Sequence, residues 1–151
     1  MVVEKVLGKC PETNHKRVDV VTLQWHERDK KRMRKQSSSG EEIGIAVEEP
    51  LQEGDVLAEN EERIIVVAYA PCEIMEIVVT SMKEMGRLCF ELGNRHLSIE
   101  IQEDRVKLPM DEPTFTYLEH LGFQPMKAFG KLEHITVCKA HGHSHSHGEE
   151  R

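Results

Sequence analysis

Apolar positions in the first half of the chain come in short runs, most of them rich in β-branched residues and closed by turn formers. Val2 to Leu7 predicts a first strand, and Gly8 to Lys16, with Pro11, Asn14 and His15, a turn. Arg17 to Trp25 is partly alternating, with Val18, Val20 and Thr22 on one face, and reads as a strand. His26 to Lys35 is a charged block, read as a solvated hairpin or strand with its charges outward. After a turn at Ser37 to Gly40, Glu42 to Val47 resumes as a strand and Val56 to Ala58 gives a short one. Ile64 to Tyr69 is a near-continuous β run with little exposed face. Closely spaced strands without a helix-period segment make residues 1–70 a small all-β domain, suited to docking protein or peptide.

The pattern changes at Ala70-Pro71-Cys72. Glu73 to Val79 is apolar at most positions and predicts a well-buried strand. Ser81 then opens a helix, with Glu84 at capping-box spacing. Met82, Met85, Leu88, Cys89 and Leu92 fall on one face of it, and methionines at that spacing read as core rather than as soft metal ligands. Gly93 and Asn94 tolerate the left-handed conformation that closes helices and predict the C-cap. Leu97 to Gln102 follows as a strand, Glu103-Asp104 as a tight turn and Arg105 to Leu108 as the hairpin partner. Asp111 or Thr114 caps a second helix that carries Phe115, Leu118 and Leu121 and ends at Gly122. Phe123 to Val137 is extended, with Ile135 and Val137 in the last strand. The order β-α-β-β-α-β is the ferredoxin-like arrangement, two helices on one face of a four-stranded antiparallel sheet, with the other face left for a partner. The fold class is α+β. A small all-β N-terminal domain over 1–70 precedes a ferredoxin-like, metal-binding βαββαβ domain over 71–138 and a flexible His-rich tail over 139–151.

Composition narrows the function. A net charge of −7 argues against a general nucleic-acid binder, and 5% aromatic residues against a stacking platform for RNA. No apolar run approaches the ~20 residues of a membrane span, and the first residues lack a signal-peptide pattern, so a cytoplasmic protein is expected. Cys10, Cys72, Cys89 and Cys138 are dispersed without a C-x-x-C pair, which fits small, half-buried, reduced residues rather than a cysteine cage. No catalytic constellation appears, and the absence of an H-E-x-x-H pattern speaks against a zinc hydrolase, so the chain is read as no enzyme.

What remains is histidine. His96 follows Gly93-Asn94-Arg95 at the corner between a helix and a strand, a rigid place from which to aim a ligand. His141, His143, His145 and His147 alternate with glycine and serine near the C-terminus, in a tract whose composition says metal binding without saying which metal. His15, His26, His120 and His134 lack partners at ligand spacing.

Gly93-Asn94-Arg95-His96 after a helix, preceded by Glu84-Met85-Gly86 and Phe90-Glu91-Leu92, resembles the signature of the urease accessory nickel chaperones. The two domains and the histidine-bearing tail resemble that family along the whole chain. The resemblance implies a homodimer in which His96 of each copy meets its mate on the two-fold axis to bind one Ni ion, with Zn or Cu as further candidates and a dimer of dimers left open. It also implies delivery of Ni to apo-urease in company with the urease accessory GTPase, with no nucleic-acid or membrane partner. Some family members carry histidines in the hairpin strand after the motif; Arg105 to Leu108 has none, so further ligands would come from the tail. The alternative is a histidine-based nickel or zinc store whose tail is the main site.

Overall fold

The structure, a computed structural model, describes residues 1–138. The chain divides into two compact units, one over Met1–Ala70 and one from Pro71 onward.

The first unit holds seven strands: β1 (Val2–Val3), β2 (Gly8–Lys9), β3 (Arg17–Leu23), β4 (Arg32–Gln36), β5 (Glu42–Ala46), β6 (Asp55–Glu59) and β7 (Arg63–Tyr69). They form a three-stranded sheet in the order β1-β5-β4 and a four-stranded sheet in the order β2-β6-β7-β3. Val3, Val21, Leu23, Ile43, Ile45, Leu57, Ile65, Val67 and Tyr69 make one core from residues of both sheets. The expected strand from Val2 to Leu7 is confined to Val2–Val3. Gly8–Lys9, read as turn, pairs with β6 instead. β3 stops at Leu23 and Trp25–Glu27 forms a 3-10 turn, held where the Gln24 N–H donates to the Glu27 carboxylate at 2.9 Å. Val18, Val20 and Thr22 do share a face, but the core takes Val21 and Leu23 from the other one.

That inward face of β3 also carries Asp19, 2% exposed. Its carboxylate accepts the Ser38 hydroxyl at 2.7 Å, the Ser39 N–H at 2.8 Å and the Ser39 hydroxyl at 2.7 Å, and Arg63 reaches it at 3.3 Å. Burial alone would raise its pKa. The hydrogen bonds from Ser39, Ser38 and Ser37 outweigh that and hold the carboxyl well below the usual carboxylate range. A serine turn thus fastens the β4–β5 hairpin to β3.

The second unit runs β8 (Cys72–Val78), α1 (Met82–Asn94), β9 (Glu100–Ile101), β10 (Arg105–Pro109), α2 (Glu112–His120) and β11 (Pro125–Gly130). The sheet order is β11-β8-β10-β9 and every pairing is antiparallel, which is the ferredoxin-like arrangement. Met75, Ile77, Val106 and Leu108 form the core with Leu88 and Leu92 of α1 and Leu118 of α2. The Ser81 hydroxyl accepts the Glu84 N–H at 3.1 Å, as the capping spacing predicts, while the Glu84 carboxylate reaches back to the Thr80 N–H at 2.8 Å. Asp111, not Thr114, is the N-cap of α2, and Gly122 follows its end with φ 96°.

The C-terminal stretch departs from expectation. The fourth strand is Pro125–Gly130; Ile135 and Val137 lie outside it, and Thr136 makes an isolated antiparallel bridge with Ile99. The chain therefore leaves one edge of the sheet at β11 and rejoins beside β9 at the other. Glu76, Lys107 and Glu100 stand in register on the sheet face opposite the helices, and the Glu100 carboxylate accepts the His134 N–H at 2.9 Å. Residues 131–135 cross that face, with Leu132 and Ile135 buried. The face expected to stay open for a partner is covered along this path by the chain itself.

Candidate metal centre

His96 stands just past α1, and the way the helix ends decides how the imidazole is presented. Gly93 and Asn94 are still helical, and Arg95 is the cap with φ −93° and ψ 5°. His96 itself takes the left-handed conformation at φ 59°, alone among the described non-glycine residues. Its N–H donates to the Gly93 carbonyl at 2.9 Å, and the Leu97 N–H to the Leu92 carbonyl at 3.2 Å. These paired bonds are a Schellman motif with histidine where glycine is usual. The apolar contact explains why the cap falls here rather than at Gly93 or Asn94. With His96 left-handed, Leu97 closes on Leu92 and both join the core beneath the helices. With Gly93 left-handed, polar Asn94 would take that place. The pairing of leucines offsets the glycine preference: the left-handed region costs a side-chain-bearing residue about 1–2 kcal/mol, and the half-burial of Leu97 recovers a large part of the roughly 1.5–3 kcal/mol that a fully buried leucine contributes.

Around α1 three stripes do different work. Leu88 and Leu92 face the core. Arg87, Glu91 and Arg95, spaced four apart, grip α2 and the chain that leaves it. The Arg95 guanidinium lies 4.7 Å from the Tyr117 ring centroid, and the Tyr117 hydroxyl donates to Glu91 Oε1 at 2.7 Å. Arg87 lies 4.7 Å from the Phe123 ring and donates to the Leu121 carbonyl at 2.9 Å. The third stripe, Met82, Gly86, Phe90 and Gly93, is bare: Met82 is 90% and Phe90 69% exposed. Met82, expected in the core, sits about 100° around the helix from the centre of Leu88 and Leu92.

Among the described residues no three histidine, cysteine or carboxylate side chains gather to hold a metal. His96 is exposed and offers a single nitrogen donor. His15, His26, His120 and His134 are exposed as well, and His26 lies edge-on to Trp25 with ring centroids 5.4 Å apart. Burial pushes the Cys72 and Cys89 thiols up in pKa, away from the thiolate that binds metal. His141, His143, His145 and His147 lie outside the described residues. Cys138, the last described residue, is tied beside the corner, its N–H donating to the Ser98 hydroxyl at 2.8 Å. The grip of Arg95 and Glu91 on Tyr117 escaped the sequence reading. Its one local signal is the acid–base spacing of residues 91 and 95, which says nothing of residue 117.

Residues 3–70 match the N-terminal domain of the UreE urease accessory protein, and residues 72–151 match its C-terminal domain. The chain belongs to the UreE urease accessory protein family. The urease accessory protein UreE of Flavobacterium johnsoniae is 35% identical over 156 residues, covering 97% of this chain and 93% of that protein. The one from Acetivibrio thermocellus is 38% identical over 151 residues, covering 97% and 99%. That of Bifidobacterium longum subsp. infantis is 46% identical over 121 residues, which cover 80% of this chain and 55% of that protein. The resemblance drawn from Gly93-Asn94-Arg95-His96 is thereby confirmed at the level of the UreE family, and with it a place in urease maturation. No helix among the described residues of this UreE-family chain is long and apolar enough to cross a membrane.

Proposed function

We propose that the protein is a nickel metallochaperone, not an enzyme, that carries Ni to apo-urease together with the urease accessory GTPase. The observation that carries this reading is the presentation of His96: an exposed imidazole on a backbone held left-handed, at the end of a helix with a bare apolar stripe. One neutral nitrogen suits Ni but cannot hold it alone. A second copy seated on Met82 and Phe90 would bring a second His96 to a two-fold axis, where one residue per chain supplies two ligands. The histidines at 141, 143, 145 and 147 begin three residues beyond Cys138 and would supply further nitrogens. Such an open set of imidazoles releases metal more readily than a closed four-cysteine site, as a carrier must. The all-β domain serves as the docking module for protein or peptide partners.

The test is Ni titration calorimetry on the full-length protein and on His96→Ala. The tight site should disappear in a folded, dimeric variant. Unchanged tight binding would overturn the assignment and leave the tract as a nickel or zinc store.

A further inference from the structure

We infer that Tyr117, through Arg95 and Glu91, is the positioning residue of His96. The inference rests on the reading of His96 as a metal ligand. The imidazole has no hydrogen-bonded neighbour to orient it among the described contacts. What fixes its place is the backbone corner, and the corner is as steady as the last turn of α1. Helix ends fray, because their last carbonyls lack intrahelical partners. Here the residue immediately before His96 is tied down. Arg95 lies over the Tyr117 ring at 4.7 Å, a contact that joins the cap residue of α1 to the middle of α2. The Tyr117 hydroxyl is held in turn by Glu91 at 2.7 Å, one turn back from Arg95 on the same stripe. Arg95 and Glu91 thus meet Tyr117 from successive turns of the same stripe. Glu91 and Arg95 are spaced as an acid ahead of a base, the orientation favoured on a helix; the ring of Tyr117 meets Arg95 and its hydroxyl meets Glu91. Thr114 and Leu118, on either side of Tyr117 in α2, are buried, so the ring sits on a rigid element.

The consequence is directional. The core leucines fix where α1 lies, and the two contacts to Tyr117 fix how its last turn is rotated. Two imidazoles must converge on one ion with metal–nitrogen distances near 2 Å, so a loosened cap would scatter the pair without unfolding the domain. Residues that orient a metal ligand from behind typically change affinity about 10–100-fold when removed.

The experiment compares wild type with Tyr117→Leu, Tyr117→Phe and Arg95→Gln, alongside His96→Ala, by Ni calorimetry, thermal melting and the visible spectrum of the Cu(II)-loaded protein. Tyr117→Leu should lower Ni affinity about tenfold with the number of tight ions unchanged, and should shift the Cu(II) band. Tyr117→Phe keeps the ring beneath Arg95 and should restore most of the affinity. Arg95→Gln, an exposed change, should reproduce the loss at an unaltered melting temperature, and it decides the matter if Tyr117→Leu does not fold. Wild-type affinity and spectrum in Arg95→Gln or in folded Tyr117→Leu would overturn the inference. If those variants and His96→Ala all bind Ni as wild type does, the metal reading itself fails; if only His96→Ala loses the site, the positioning role alone fails.

Discussion

At the scale of single residues, two side chains occupy costly places. His96 has a backbone that glycine would take without strain. His96→Gly should therefore be more stable than His96→Ala by about 1 kcal/mol, read from urea midpoints, although both lose the Ni site. Equal midpoints would mean that the left-handed corner is not strained. Asp19 is the opposite case, a buried carboxylate whose partners hold its pKa down. A group depressed in the folded state contributes stability above its unfolded value, near 3.9, and loses that contribution as the pH falls below it. Asp19→Asn should cost about 1.5–3 kcal/mol near neutrality, since hydrogen bonds to a charged group are lost. The gap between the two proteins should narrow as the pH is lowered from about 5 towards 3. A gap independent of pH would show that the charge of Asp19 contributes nothing.

At the scale of elements, α1 has a face that the described residues leave exposed. If Met82 and Phe90 seat a second copy, Phe90→Glu should give a monomer by light scattering with an unchanged circular dichroism spectrum; a persistent dimer would move the interface elsewhere. This helix also shows what was legible in the sequence. Its start followed from Ser81 and its core from Leu88 and Leu92, because capping and 3.6-residue periodicity are local signals. Its end is not legible there, because glycine propensity points to Gly93 while the deciding contact, Leu97 on Leu92, depends on the path after the helix. The crossing by residues 131–135 is illegible for a similar reason: two apolar residues three apart, Leu132 and Ile135, are too short a pattern to place a segment, and only the sheet beneath them explains their burial. His96 stood out through its family motif and its corner, whereas Tyr117 is one aromatic residue among several until α2 is placed against α1.

At the scale of the whole molecule, the proposed function divides the handling of metal between a fixed histidine and a histidine tract. Removal of residues 141–151 should reduce the Ni ions bound at equilibrium dialysis more than it weakens the first affinity, because the proposed tract raises the local concentration of ligand near the fixed pair. If no Ni remains after truncation, storage by the tract is the better account. The topology of the first unit has a consequence of another kind. β3 pairs in parallel with β7 from Arg17 with Arg63 to Leu23 with Tyr69, so every rung of that ladder joins residues 46 apart in the chain. Such ladders form late, since a long loop must close before any rung contributes. During synthesis the β-domain cannot complete its larger sheet until Tyr69 has left the ribosome, by which time the second unit is about to emerge. Trp25, the chain's single tryptophan, sits at the end of β3 and reports on that event. Its fluorescence on refolding should recover over milliseconds to seconds, trailing the helical signal of the second unit.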